Sequence, residues 1–351
     1  HSWYRRQRQM CIRDSLEAGP SDRRFWVQVP IGYGILFHQK SVNWMYSSDP
    51  VPGLDGRVIY HPRGKVLGGS GSINALVYHR GQAGDYDDWA AAGNDGWSYA
   101  DVAPHFEQLE TPPQDDPGAP HLSVTDNSAD FHPMGSDFLE ICRQGQLPVC
   151  DAPAREGTGI TPYLTTTRDG QRCSSAKAFL RPAMRRRNLT VVTGAHVSRI
   201  GFEGTRARSV SYSRNGQDFK VRAGAEIILA AGAVGSPQIL QLSGVGDARY
   251  LQSIGIRSVH NAPHVGRHLK DHYGINYIFK SKQKTLNDVF GNWPGRMMAG
   301  MEYVLRRSGP LSLSVNQLGG LVKSSASLDR PDTQIYICLL YTSDAADDTR
   351  S

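Results

Sequence analysis

The sequence predicts a mixed α/β fold that combines strand–turn–helix units of the dinucleotide-binding kind with a second, less regular part. Three observations predict it. Two glycine-rich segments with apolar flanks stand out: Arg63–Gly81 (RGKVLGGSGSINALVYHRG) and Ile227–Gly246, which contains AAGAVGSP. Between them, from Leu189 onward, the apolar period changes to two, as strands require. Finally, Leu16-Glu17-Ala18-Gly19-Pro20 looks like the end of a strand followed by a turn, with Glu17 at the strand end. An acidic residue at the end of the second strand of a dinucleotide-binding unit accepts a ribose hydroxyl.

Taken in order, Leu16–Pro20 reads as a strand end and turn. Residues 85–110 read as helical pieces, with Ser98 and Asp101 placed as a capping box. Residues 111–135 read as a surface loop, Ser136–Gln144 as a helix, and Cys150–Asp169 as irregular chain. Ser174 is placed to cap a short helix through Leu180. Five strands follow: Leu189–Thr193, Val197–Glu203, Ser209–Ser213, Phe219–Ala223 and Ile227–Ala231. Asn215-Gly216 is the hairpin signal between the third and fourth. A helix over Pro237–Leu242, with Pro near its first turn, completes a strand–turn–helix unit. Beyond it the pattern predicts a strand over Ile275–Lys280 and a helix over Asp288–Arg306. Mixed strands follow around Gly319–Val322 and Thr333–Ile337.

Composition narrows the classes of function. The net charge is +6, but its densest basic run, Arg185–Arg187, reads as a solvated helix end. No aromatic residues interleave it, so no nucleic-acid partner is expected. The five cysteines form no CxxC pair, which points to a reducing, cytoplasmic setting without a metal framework. No apolar run of about 18 residues is present, so no membrane span is expected. His260, His264, His268 and His272 recur every four residues, the spacing of a metal-binding helix face. Pro263 and Gly266 interrupt that stretch, so a continuous helix and a metal site are not expected.

The glycine-rich segments carry the chemistry. Gly68, Gly69 and Gly71 flank Ser70 with backbone amides free of side-chain obstruction. Such a run can wrap a pyrophosphate, with Ser70 and Asn74 donating beside it. A solvated linker would not need the apolar flanks Val66-Leu67 and Ile73, Ala75, Leu76 and Val77.

These two segments resemble, in order and spacing, the two defining motifs of the glucose–methanol–choline (GMC) oxidoreductase family. Leu16–Pro20, Asp85–Trp89, Gly96–Tyr99, Val265–His272 (VGRHLKDH) and Gly309–Ser312 are similar to further family stretches. The resemblance runs from Leu16 to Ile337 and is choline dehydrogenase-like. It implies a Rossmann-like FAD-binding domain, incomplete here, with an interleaved substrate domain. By position, Glu17 would hold the adenosine ribose. Val66, Gly68, Gly69 and Ser70 would lie along the pyrophosphate and flavin, and Asn74, Ala75, Leu76 and Val77 along the isoalloxazine. Val197 would meet adenine through its backbone. Where some members attach FAD covalently through a histidine, Ile73 stands here, which implies non-covalent FAD.

The resemblance further implies FAD-dependent oxidation of a small-molecule alcohol to an aldehyde, with an unassigned electron acceptor. Members acting on choline tend to carry a carboxylate where this chain has Gly274, whereas Ser314–Gln317 resembles choline dehydrogenase-like members broadly, a group with many aliphatic and aromatic alcohol substrates, so the resemblance implies a primary alcohol. The family's G-x-G-x-x-G turn would precede Leu16, and its base histidine would lie well beyond Ile337. No catalytic residue is therefore assigned, and the chain alone is expected to be inactive. The alternatives are a flavin-dependent hydroxynitrile lyase-like member and a truncated domain without function. Residues 16–135 and 189–272 are expected to be discontinuous FAD-binding parts, and 136–188 and 273–337 connecting and substrate-domain parts. Residues 1–15 and 338–351 resemble translated adapter read-through and are expected to be a non-native leader and tail.

Overall fold

The computed structural model describes residues 13–155 and 158–340. Two compact units emerge. The first holds the described residues up to Ser21, Lys65–Gly69 and Met184–Phe279; the second holds Asp22–Gly64, Ser70–Ala183 and the chain from Lys280 onward. Residues 22–64 and 70–135, grouped with the FAD-binding parts in the sequence reading, fall in the second unit.

In the first unit the strand Arg13–Glu17 runs parallel to Leu189–Thr193, with Glu17 opposite Thr193. The ladder continues in register through Arg13–Ser15, residues expected to belong to a leader. A three-stranded antiparallel sheet follows, His196–Glu203, Arg206–Arg214 and Gln217–Arg222, in that spatial order. Its second hairpin turns at Asn215-Gly216, where φ is +52° and +75°. Positive φ at both positions is the primed turn whose twist matches the flanking strands, as the sequence predicts.

Two predicted strands do not form. Ile227–Ala231 and Ile275–Lys280 adopt no regular secondary structure and have no ladder partner among the described residues. Ile228 is 73% and Phe279 85% exposed. Apolar alternation makes a strand only when a neighbour accepts the ladder, and here none does. The helix after Ile227–Ala231 spans Gly232–Leu242, starting earlier than expected, so Pro237 sits inside it. A proline there removes the amide that the Ala233 carbonyl would use.

Two apolar clusters stand out among the described residues of the second unit. One joins Val29, Ile31 and Tyr33 to Leu286, Tyr303, Val315 and Leu339, with Ala75 packed against it. The other joins Leu139 and Cys142 to Ile160, Leu318 and Val322. Its main sheet places Asn316–Val322 between Thr333–Cys338 and Gly159–Pro162, all antiparallel. Three strand segments, Gly159–Pro162, Leu164–Thr165 and Thr167–Arg168, lie where the sequence reads as irregular. The partners of the first two are far along the chain, so no local period marks them, whereas the third pairs locally with Gln171–Arg172.

The helices here obey their caps. Ser98 Oγ accepts from the Asp101 amide while the Asp101 carboxylate accepts from the Ser98 amide, the reciprocal box expected for the Tyr99–Glu110 helix. The helix Met134–Gln144 starts close to the expected Ser136. The single helix expected over Asp288–Arg306 is two, Leu286–Phe290 and Trp293–Arg306. Asn292 caps the second by accepting from the Gly295 amide at 2.8 Å, and that interruption is what breaks the run.

One buried ion cluster fastens the region next to Val77. Glu110, 8% exposed, takes both arms of the Arg80 guanidinium, at 2.8 and 2.9 Å. Arg155 donates at 2.7 Å and the Tyr78 hydroxyl also donates. Burial alone would raise the Glu110 carboxyl, but the donors from Arg80, Tyr78 and Arg155 win and hold it below its ordinary value near 4.5. A depressed folded pKa gives stability that is present above the unfolded value and is lost as pH falls through the folded one. Glu110→Gln leaves two buried guanidinium arms without their charge partner, and we expect it to cost about 3 kcal/mol in urea unfolding at neutral pH. The gap between the variant and the parent should narrow as pH falls below about 4; a pH-independent gap would contradict the assignment.

Candidate functional site

In the first unit the expected nucleotide-facing residues lie around one close backbone crossing. Glu17 ends its strand half-buried, and its Oε1 accepts from the Gly19 amide at 2.7 Å. Burial raises its carboxyl, with the Gly19 amide and the Lys65 charge acting in the opposite sense. Gly19 is required by space: a β-carbon there would stand 1.8 Å from the Lys65 carbonyl oxygen. That contact brings the turn after Glu17 against Lys65–Val66, where the Leu67 amide donates to the Pro20 carbonyl at 3.1 Å. Val66 is fully buried. The Ala195 amide donates to the Glu17 carbonyl at 2.9 Å, which carries the chain from this crossing towards Val197. Val197 is half-buried beside a β-bulge that leaves Ser198 out of the register.

From Val66 the chain turns through two left-handed residues, Gly68 at φ +88° and Gly69 at φ +56°. The Gly69 amide closes this turn on the Val66 carbonyl at 2.8 Å. A β-carbon on Gly69 or on Gly71 would meet no atom within 4 Å. Open space beside bare backbone is what a group that approaches peptide amides needs, so these residues fit a phosphate-bearing cofactor.

The unit boundary falls between Gly69 and Ser70, and the remaining expected residues belong to the second unit. Ser70 Oγ accepts from the Gly64 amide at 3.1 Å, and its carbonyl accepts the Asn74 amide at 2.9 Å. Asn74 is exposed, while Ala75 and Val77 are half-buried and Leu76 is buried. Leu76 has φ +70°, a left-handed conformation rare for a bulky residue. The Ala75 carbonyl takes the Ser314 hydroxyl at 2.7 Å, and the Leu76 carbonyl takes the Thr166 amide at 2.9 Å. Val77 pairs with Thr165 in a short antiparallel ladder.

Sequence reasoning missed Arg172, which lies beneath this segment and is 1% exposed. Its Nη1 donates to Asn74 Oδ1 at 2.7 Å and its Nε to the Val27 carbonyl at 3.1 Å. Arg172 ends the hairpin Thr167–Arg168/Gln171–Arg172, which turns at Asp169-Gly170 with φ +51° and +66°. An Asp-Gly pair is a strong hairpin signal; read as one, it would have placed Arg172 in a ladder rather than in loop.

The histidine series forms no helix. His264 and His268 face one another, Nδ1 to Nε2 3.1 Å, and His268 has φ +60°. The His272 amide donates to Asp271 Oδ1 at 2.9 Å. A cavity of about 440 Å³ in the second unit is lined by Arg23, Arg24, Gln171, Arg181 and Arg307 among others, and none of the expected site residues lines it. No helix among the described residues is long and apolar enough to cross a membrane.

Comparison with known proteins places this geometry in a family. The GMC oxidoreductase family model matches residues 18–274. The chain is 36% identical over 348 residues to an alcohol dehydrogenase [acceptor] of Pseudomonas putida, covering 96% of this chain and 62% of that protein. It is 36% identical over 336 residues to the mitochondrial choline dehydrogenase of Homo sapiens, covering 92% of this chain and 56% of that protein. The formate oxidase of Aspergillus oryzae has the same fold, with TM-score 0.83 at 22% identity over 93% of this chain and 64% of that one. The chain belongs to the GMC oxidoreductase family of FAD-binding proteins, and it spans between 56% and 62% of the length of these two curated relatives.

The Gly19 crossing yields a direct test. Gly19→Ala cannot be accommodated without moving Lys65–Val66, since the obstacle is backbone. We expect a loss of about 1–3 kcal/mol in urea unfolding. A variant as stable as the parent would show that the crossing is not tight.

Proposed function

We propose that the full-length protein is an FAD-dependent oxidoreductase that converts an alcohol, preferably a primary one, to its aldehyde. The observation that carries this reading is the left-handed Gly68-Gly69 turn, closed on buried Val66 and open on the side where a β-carbon would project. Family membership and the similarity to an alcohol dehydrogenase support the substrate class.

The residues of this chain would share the work as follows. Gly68, Gly69 and Ser70 present backbone amides and a hydroxyl to the pyrophosphate. Glu17, oriented by its bond to the Gly19 amide, accepts from a ribose hydroxyl. Val197 offers backbone to the adenine. Asn74, Ala75, Leu76 and Val77 would line the ring system, three apolar residues with one polar edge, on a backbone bent by the left-handed Leu76. Bound FAD would supply the two-electron oxidant: a single hydride, which carries both electrons, would pass to it from the alcohol carbon, and the hydroxyl proton would go to a base.

Attachment is non-covalent, because the position preceding Asn74 is Ile73, a side chain without a nucleophile. None of the matched motif positions supplies the family's base histidine, so this chain alone should not turn over. The described cysteines are free, consistent with a cytoplasmic setting. A small-molecule alcohol and a separate electron acceptor are the partners; neither a nucleic acid nor a membrane span enters the reading.

Two measurements test this. Acid precipitation of the FAD-loaded chain should leave all flavin in the supernatant, whereas flavin retained in the pellet would refute non-covalent attachment. The full-length protein should lose its visible flavin absorbance when mixed anaerobically with primary alcohols. If no alcohol bleaches it, the redox reading is wrong.

A further inference from the structure

Arg172 has the largest fully buried side chain among the described residues, and its neighbours leave it unbalanced. Its three acceptors are all neutral: the Val27 carbonyl at 3.1 Å, Asn74 Oδ1 at 2.7 Å and the Gly71 carbonyl at 3.4 Å. Its buried Nη2 has no hydrogen-bond partner among the described residues. Burying a cation costs several kcal/mol unless a partner compensates it, and a folded chain would ordinarily place an apolar residue there. Burial pulls its pKa down to about 9, so the guanidinium remains charged at neutral pH.

The target of that charge is visible in the geometry. Asn74 Oδ1, which takes the Arg172 Nη1 proton, also accepts from the Leu76 amide at 3.2 Å. One oxygen thus ties the buried cation to the left-handed residue at φ +70°. A bulky residue in this region is strained and persists only where its surroundings hold it. Thr166 holds the Leu76 carbonyl, and the Arg172–Asn74 pair holds its amide.

We propose that Arg172 is a positioning residue that locks Asn74–Val77 into its left-handed turn and places a fixed, uncompensated positive charge behind it, serving the negative charge that gathers on an electron-rich ring when that ring is reduced. The second half rests on the flavin reading above; the first half does not.

Arg172→Met keeps much of the bulk and removes every donor, while Arg172→Lys keeps the charge and loses the planar fork. In the cofactor-free chain, hydrogen exchange at the Leu76 amide should accelerate at least tenfold in Arg172→Met, while amides of the Asn316–Val322 strand stay protected. Arg172→Lys should fall between Met and parent, and it supplies the same comparison if the Met variant does not fold. In the FAD-loaded chain, Arg172→Met should lower the preference for reduced over oxidised flavin about tenfold, a shift of about 30 mV for two electrons. Arg172→Lys should largely restore that preference. Unchanged Leu76 exchange in both variants overturns the positioning role. Faster exchange with an unchanged flavin preference overturns the electrostatic role. A parent chain that takes up no FAD counts against the flavin reading, and the Leu76 exchange still decides the positioning role.

Discussion

Between Lys65 and Val77 the chain adopts left-handed backbone at Gly68, Gly69 and Leu76. Polypeptide avoids that region, and everything proposed for the site depends on how it is maintained. At the first two positions glycine removes the steric penalty. At Leu76 no such relief exists, and the conformation is held from outside: Thr166 on its carbonyl, Asn74 on its amide, and Arg172 on Asn74. The flanks are fixed as firmly. Gly19 admits the Lys65 backbone at a distance no other residue would allow, and the Glu110 cluster pins Tyr78 and Arg80 immediately downstream. The glycine-rich segment is therefore a preorganised turn rather than a linker, and preorganisation lowers the entropic cost of receiving a ligand.

Much of this was legible in the sequence because its signals are local. Asn215-Gly216 and the Ser98/Asp101 box each carry their meaning within a few residues, and each forms as read. The failures share one cause, dependence on distant partners. Ile227–Ala231 and Ile275–Lys280 have the apolar pattern of strands but lack neighbours to pair with among the described residues. Conversely, Gly159–Pro162 has no evident period and becomes a strand because Leu318–Leu321 lies beside it. Arg172 is the exception: its hairpin signal, Asp169-Gly170, is local, but an arginine in a polar stretch looks solvated until that turn carries it inward.

Electrostatics divides the expected cofactor contacts by unit. The first unit offers one carboxylate, Glu17, whose burial weakens its acidity and whose orientation is fixed by the Gly19 amide. The second offers a buried cation, Arg172, behind an apolar surface. A hydrogen-bond acceptor suits a ribose hydroxyl, and a positive charge suits a ring that becomes electron-rich on reduction.

The central claim is that the Val66–Val77 segment receives FAD. Titrating the isotope-labelled chain with FAD and following its backbone amide resonances tests this most directly. The account predicts saturable changes at Val66, Gly68, Gly69, Ser70 and Asn74–Val77, with further changes at Glu17 and Val197. Saturable changes confined to other residues, or none at concentrations that saturate related flavoproteins, would contradict it.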